Sequence, residues 1–179
     1  MAHLTTSVEY GIHCLLWLVE SEAPPSSRDL AELQGVSPAF LAKIFPKLEK
    51  AGIVTASEGV RGGYRLARPA ETITFLEIVD AIEGDKPLFD CQQIRGRCAL
   101  FQGTPPAWST DGVCAVHAVM LQAEKAMRAA LASQSLASVH AALGRKAPPE
   151  FTGQVQQWMS DRLRGRRPGR TARSSESSG

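Results

Sequence analysis

The sequence predicts a mainly α chain with one small β-hairpin, and three stretches carry that prediction. Residues 37–52 repeat apolar side chains at Leu41, Ile44, Leu48 and Ala51, three and four apart, which marks one buried face of a helix. Residues 53–66 alternate around a loop holding Gly59, Gly62 and Gly63, with Ile53-Val54-Thr55 and Tyr64-Arg65-Leu66 as paired strands. From Val113 to Leu131 a third run sets Val116, Val119, Met120, Ala123, Met127, Ala130 and Leu131 at helical spacing. Preceded by a short capped helix, this order is that of a winged helix-turn-helix domain plus a long dimerisation helix.

Taken in order, residues 4–20 place Val8, Ile12, Leu15, Leu16 and Val19 on one stripe, so the first helix packs one face into a core. Glu9 and His13, four apart, share another face, where a surface ion pair is the plain expectation. Cys14, beside the apolar run, reads as a buried thiol. Ser26 or Ser27 caps a short helix that Gly35 stops. Ser37 is expected to cap the next helix, with Pro38 in its first turn, where a missing N–H costs nothing. Pro46 should kink that helix and leave Ser37 to Phe45 as the exposed, groove-facing half; Gly52 ends it.

Thr74 and Glu77 fit a capping box opening a helix to Glu83, with Phe75, Ile78, Val79 and Ile82 on its buried face and Gly84 as its stop. Residues 84–112 lose periodicity and gather Gly and Pro, which predicts a long irregular loop of the kind that a function or a ligand orders. Leu136–Leu143 and Phe151–Leu163 read as further helices, and the arginine-, serine- and glycine-rich end as disordered. The expected organisation is a winged domain over 1–84, a cysteine-bearing loop over 85–112, a dimerisation helix region over 113–145, and an extension with a basic tail over 146–179.

Net charge is only +2, yet the sign is unevenly spread. Residues 161–179 hold six arginines against Asp161 and Glu176, so a slightly acidic body remains. Residues 28–68 nevertheless carry seven Lys or Arg against four Asp or Glu, a local patch suited to a polyanion. The residues expected to meet duplex DNA are Arg28, Ser37, Ala39, Phe40, Lys43 and Lys47 on the helices, and Arg61, Gly62, Gly63 and Tyr64 on the wing, with Arg65 as a further phosphate contact. No early segment reads as a signal peptide and no apolar run is long enough for a membrane span, so a cytoplasmic location without membrane attachment is expected. In a reducing compartment the four cysteines are metal ligands, reactive thiols or core residues rather than structural disulfides.

Cys91, Cys98 and Cys114 lack CxxC pairing, which argues against a zinc ribbon; soft thiolates also suit an iron–sulfur cluster, with Glu9, His13 or His117 available as a fourth ligand. The succession Val8-Glu9-Tyr10, SPAFLAKIFPKLEKAGIV, EGVRGGYRLARP, ITFLEIVDAIEG and Cys114-Ala115-Val116-His117 over residues 4–140 resembles the IscR/NsrR/RsrR family of bacterial winged-helix regulators. The resemblance implies a homodimer crossed through the long helix, a palindromic operator, and an iron–sulfur cluster sensing redox state, nitric oxide or iron–sulfur supply. Glu9 and His13 together resemble the redox-sensing RsrR branch. That likeness implies a 2Fe-2S centre between subunits, with Glu9 and His13 from one chain and two loop cysteines, by position Cys98 and Cys114, from the other. An IscR-like arrangement would instead use Cys91, Cys98 and Cys114 with His117.

Two rival readings stand beside this one. The three loop cysteines can act without metal as a thiol–disulfide switch on the same DNA-binding scaffold. Cys114 and His117, three apart, also have the spacing of a nucleophile and base, but no oxyanion-hole signature accompanies them, so no enzyme is expected.

Overall fold

The computed structural model describes residues 4–22, 24–57, 62–84 and 86–165. Among them are eight α-helices and one two-stranded antiparallel sheet. Helix α1 is Thr6–Leu16, shorter than its apolar pattern, because residues 17–20 close as turns. Helix α2, Ser27–Gln34, opens on a capping box in which the Ser26 N–H donates to Asp29 Oδ2 at 2.8 Å and the Asp29 N–H donates to Ser26 Oγ at 3.2 Å. It stops at Gly35, whose φ of 70° is the left-handed geometry that glycine adopts at least cost.

Helix α3, Pro38–Lys50, departs from expectation at Ser37 and at Phe45. Ser37 occupies the cap position but its hydroxyl closes no cap bond, and the Phe40 and Leu41 amides meet its backbone carbonyl instead. The helix runs on through Pro46; Pro46 and Ala42 both face solvent, so water can replace the carbonyl's lost partner. Phe45 is fully buried, stacked at a tilt on Tyr64 with ring centroids 4.6 Å apart, so the groove-facing half ends before it. Leu41, Ile44 and Leu48 are core as their spacing predicts, while Ala51 is exposed.

Strands β1, Val54–Ala56, and β2, Tyr64–Leu66, pair with Val54 opposite Leu66 and Ala56 opposite Tyr64. Helix α4, Phe75–Glu83, opens on the expected Thr74–Glu77 capping box. Helices α1, α3 and α4 share the core, where Cys14, Leu15, Leu30, Leu41, Phe45, Leu48, Ile53 and Ile78 are withdrawn from water. Burying a side chain such as Phe45 contributes about 1.5–3 kcal/mol.

Residues 86–114 are more ordered than a shapeless loop. They hold 3-10 turns at Ile94–Arg97 and Ala99–Phe101 and a one-turn helix, α5, at Ala107–Thr110. The Arg95 guanidinium gathers them by donating to the carbonyls of Thr110, Asp111 and Gly112 at 2.5, 3.0 and 2.6 Å. Helix α6, Ala115–Ala132, follows, and none of its eighteen residues is buried. Helices α7, Leu136–Lys146, and α8, Pro149–Gly165, return to the core: the Leu136 N–H donates to Ile73 at 2.8 Å, and Leu136 and Met159 are buried. The basic end expected to be disordered starts at Arg162, but residues 162–165 continue α8; residues 166–179 lie outside the described residues.

Candidate DNA surface and thiol site

The basic residues of α3 and the hairpin divide into those held by the fold and those left to solvent. Lys43 is exposed on α3. Lys47 instead donates to the Ile82 carbonyl at 2.6 Å, tying α3 to the end of α4. Arg65 donates to the Glu22 carbonyl at 3.1 Å, and Arg68 pairs with Glu77 at 2.6 Å. Arg28, Ser37 and Ala39 are exposed, whereas Phe40 is half-buried edge-on to Tyr10, with centroids 5.3 Å apart.

Gly63 and Tyr64 serve the fold of the wing first. A Cβ on Gly63 would stand 2.2 Å from the Pro24 carbonyl oxygen, so only glycine lets the strand approach that loop. The Gly63 N–H donates to Ser57 Oγ at 3.1 Å, and the Tyr64 N–H to the Pro25 carbonyl at 2.9 Å. Gly62 is half-buried beside them; Arg61 lies outside the described residues.

The cysteines separate by chemistry. Cys14 is buried between α1 and α2, where burial pushes its thiol up to about 12 and keeps it protonated. Cys114 stands at the N-cap of α6. Its thiol closes no cap hydrogen bond, but the His117 N–H, then the Val116 N–H, favour the thiolate and hold its pKa below the usual value. Arg95 and the Cys91 thiol act in the same direction. Sequence spacing gave no reason to prefer Cys91, twenty-three residues earlier, as the neighbour of Cys114. Cys98 is exposed and completes no cluster with them: among the described residues no three His, Cys, Asp or Glu side chains come together as a metal site.

Glu9 and His13 are both exposed on α1, and among the described residues they form no ion pair with each other. The helix that carries them is fastened to the end of α4, since the Thr5 hydroxyl and N–H both donate to Glu83. Burial works to raise the Glu83 pKa, but the Thr5 bonds and Lys86 outweigh it and hold the carboxylate below its ordinary value. His117 packs its ring on Phe89, with centroids 5.9 Å apart.

The profile of the Rrf2 family, described as iron-dependent transcriptional regulators, matches residues 4–142. The chain belongs to the Rrf2 family. Protein rrf2 of Nitratidesulfovibrio vulgaris is 33% identical over 138 residues, 76% of this chain and 85% of that protein. The HTH-type transcriptional regulator IscR of Vibrio vulnificus is 34% identical over 97 residues, 53% of this chain and 57% of its own length. Among solved structures, T. potens IscR superposes with a TM-score of 0.61 at 25% identity, covering 80% of this chain and 90% of that one. CymR of B. subtilis, the global cysteine regulator, shares the fold with a TM-score of 0.61 at 22% identity, covering 79% and 98%. This Rrf2 protein is therefore a winged-helix, DNA-binding transcriptional regulator and not an enzyme, as its sequence led us to expect. No described helix is long and apolar enough to cross a membrane.

Proposed function

We propose that this protein is a homodimeric repressor, acting in the cytoplasm, that reads a palindromic operator and senses redox state, nitric oxide or iron–sulfur status through a 2Fe-2S centre of the RsrR kind. The observation that carries the reading is the Cys91–Cys114 pair at the start of α6, where helix amides and Arg95 favour a thiolate. Two thiolates are half of a two-iron ligand set. Glu9 and His13, exposed on one helix and unpaired with each other, supply a carboxylate and an imidazole from the partner chain. Cys91 takes the place that position in the sequence gave to Cys98.

When bound, such a centre supplies a one-electron change in charge. The chain's own residues then transmit it. Arg95 fixes the turn that leads into Cys114, so displacement there reaches the N-terminus of α6. Displacement of Glu9 and His13 moves α1, which packs on both α3 and α4. The dimer forms on α6, whose Val116 and Val119 stay 59% and 63% exposed in the single chain and need a second surface to cover them. On DNA, Lys43, Arg61 and Arg28 hold phosphates, and residues 37–43 of α3 enter the major groove. A coupling of about 1–3 kcal/mol between sensor and operator suffices for switching.

The same thiol pair favours a second reading, a metal-free Cys91–Cys114 disulfide switch. Purification under anaerobic conditions separates the two. A coloured protein with iron and acid-labile sulfide, both lost in Cys91→Ser and Cys114→Ser but kept in Cys98→Ser, supports the cluster. Colourless protein that gains a reversible Cys91–Cys114 disulfide on oxidation supports the switch.

A further inference from the structure

A cavity of about 240 Å³ lies between the C-terminal end of α1, α7 and α8, remote in sequence from the thiol site. Its outer wall is α8, which begins beyond residue 142, where the family match ends. Apolar and aromatic groups form its floor: Trp17 and Phe151 meet edge to face with centroids 6.1 Å apart, and Val155 lies beside them. Two carboxylates, Glu20 and Glu22, stand at its edge, with His140 Nδ1 4.0 Å from Glu20 Oε1. No lysine or arginine is among the described residues that line it.

The geometry points to an effector site for a compact organic cation, an arylalkylamine in chemical class. We propose that it takes the aromatic body against the Trp17–Phe151 pair and the ammonium group to Glu20 and Glu22. Aromatic faces beside carboxylates favour cations, and a volume below the roughly 300–1,000 Å³ of drug-sized sites limits the ligand to a small one. Three bonds lead from this cavity's walls to the DNA-binding elements. The Trp17 indole N–H donates to Gln34 Oε1 on α2 at 2.7 Å. The Glu22 carbonyl accepts from Arg65 of the wing at 3.1 Å. Arg162 of α8 pairs with Glu32 of α2. Seating a ligand against Trp17, Glu22 and α8 therefore bears on both α2 and the wing.

Calorimetric titration of the full chain with 2-phenylethylamine, 2-phenylethanol and 3-phenylpropionate tests the site. The amine should bind one per chain, about tenfold tighter than the alcohol, and the acid weakest of the three. Glu20→Gln combined with Glu22→Gln should erase the preference for the amine while keeping the alcohol's affinity. Saturating amine should change operator affinity by about fivefold or more. Equal binding of all three probes, no binding of any, or binding without effect on DNA affinity would overturn the proposal.

Discussion

Arg128 of α6 grips Asp80 of α4 with both terminal guanidinium nitrogens, at 2.9 and 2.8 Å. This forked bond fastens the long helix to the winged domain. Both side chains are 37% exposed, so water screens the pair and its contribution to stability is about 0.5–1 kcal/mol. Arg128→Met should therefore lower the melting temperature by only a few degrees. Its larger effect should fall on coupling: operator affinity of the variant should respond less to oxidation than that of the parent protein, measured by fluorescence anisotropy.

The wing depends on a glycine with no room for a methyl group. Gly63→Ala places Cβ against the Pro24 and Pro25 carbonyl oxygens at 2.2 and 2.6 Å, backbone atoms that cannot step aside cheaply. It should cost about 1–3 kcal/mol and weaken DNA binding through a displaced hairpin. Gly11→Ala meets the end of the Ile82 side chain at 2.5 Å, a group that can rotate, so its cost should be the smaller of the two. Urea denaturation of both variants gives the comparison.

Thiol reactivity should follow pH in a fixed order. Cys114 has a lowered pKa, so its thiolate appears at lower pH than that of an ordinary cysteine. Iodoacetamide should label it first near neutral pH, with a rate midpoint below 9.0. Cys14, pushed up to about 12 by burial, should stay unlabelled in native protein across that range. Peptide mapping of metal-free protein over a pH series checks both.

Lysines one helical turn apart should do different things. Lys43→Ala should weaken binding to all DNA sequences and reduce the salt slope by about 0.9. Lys47→Ala frees the Ile82 carbonyl, so it should lower stability while moving the salt slope less. Salt titrations of operator affinity alongside thermal melts separate the two effects.

Local chemistry explains what the sequence made legible. Glycine at position 35, proline at 38 and the Thr74–Glu77 box set helix ends through bonds within a few residues, and each element appears where those signals stand. Cysteine spacing could not show that Cys91 neighbours Cys114, because that contact depends on how Arg95 folds the intervening segment. Charge counting alike could not separate Lys43 from Lys47. Only the packing of α3 on α4 puts the Ile82 carbonyl under the second lysine. Phe45 was legible and misassigned: four residues after Leu41 and three before Leu48, it belongs to the buried stripe of α3, where Tyr64 also meets it.

The central claim, a centre shared between subunits, is tested most directly by iron content in mixed dimers made under anaerobic conditions. One chain carries Cys91→Ser and Cys114→Ser, and the other Glu9→Ala and His13→Ala, with different affinity tags to isolate the heterodimer. Each homodimer should be free of iron, while the heterodimer should regain half the iron of the parent protein, because one shared site is rebuilt from intact halves. A heterodimer as empty as the two homodimers, or a parent protein without iron, would contradict the account.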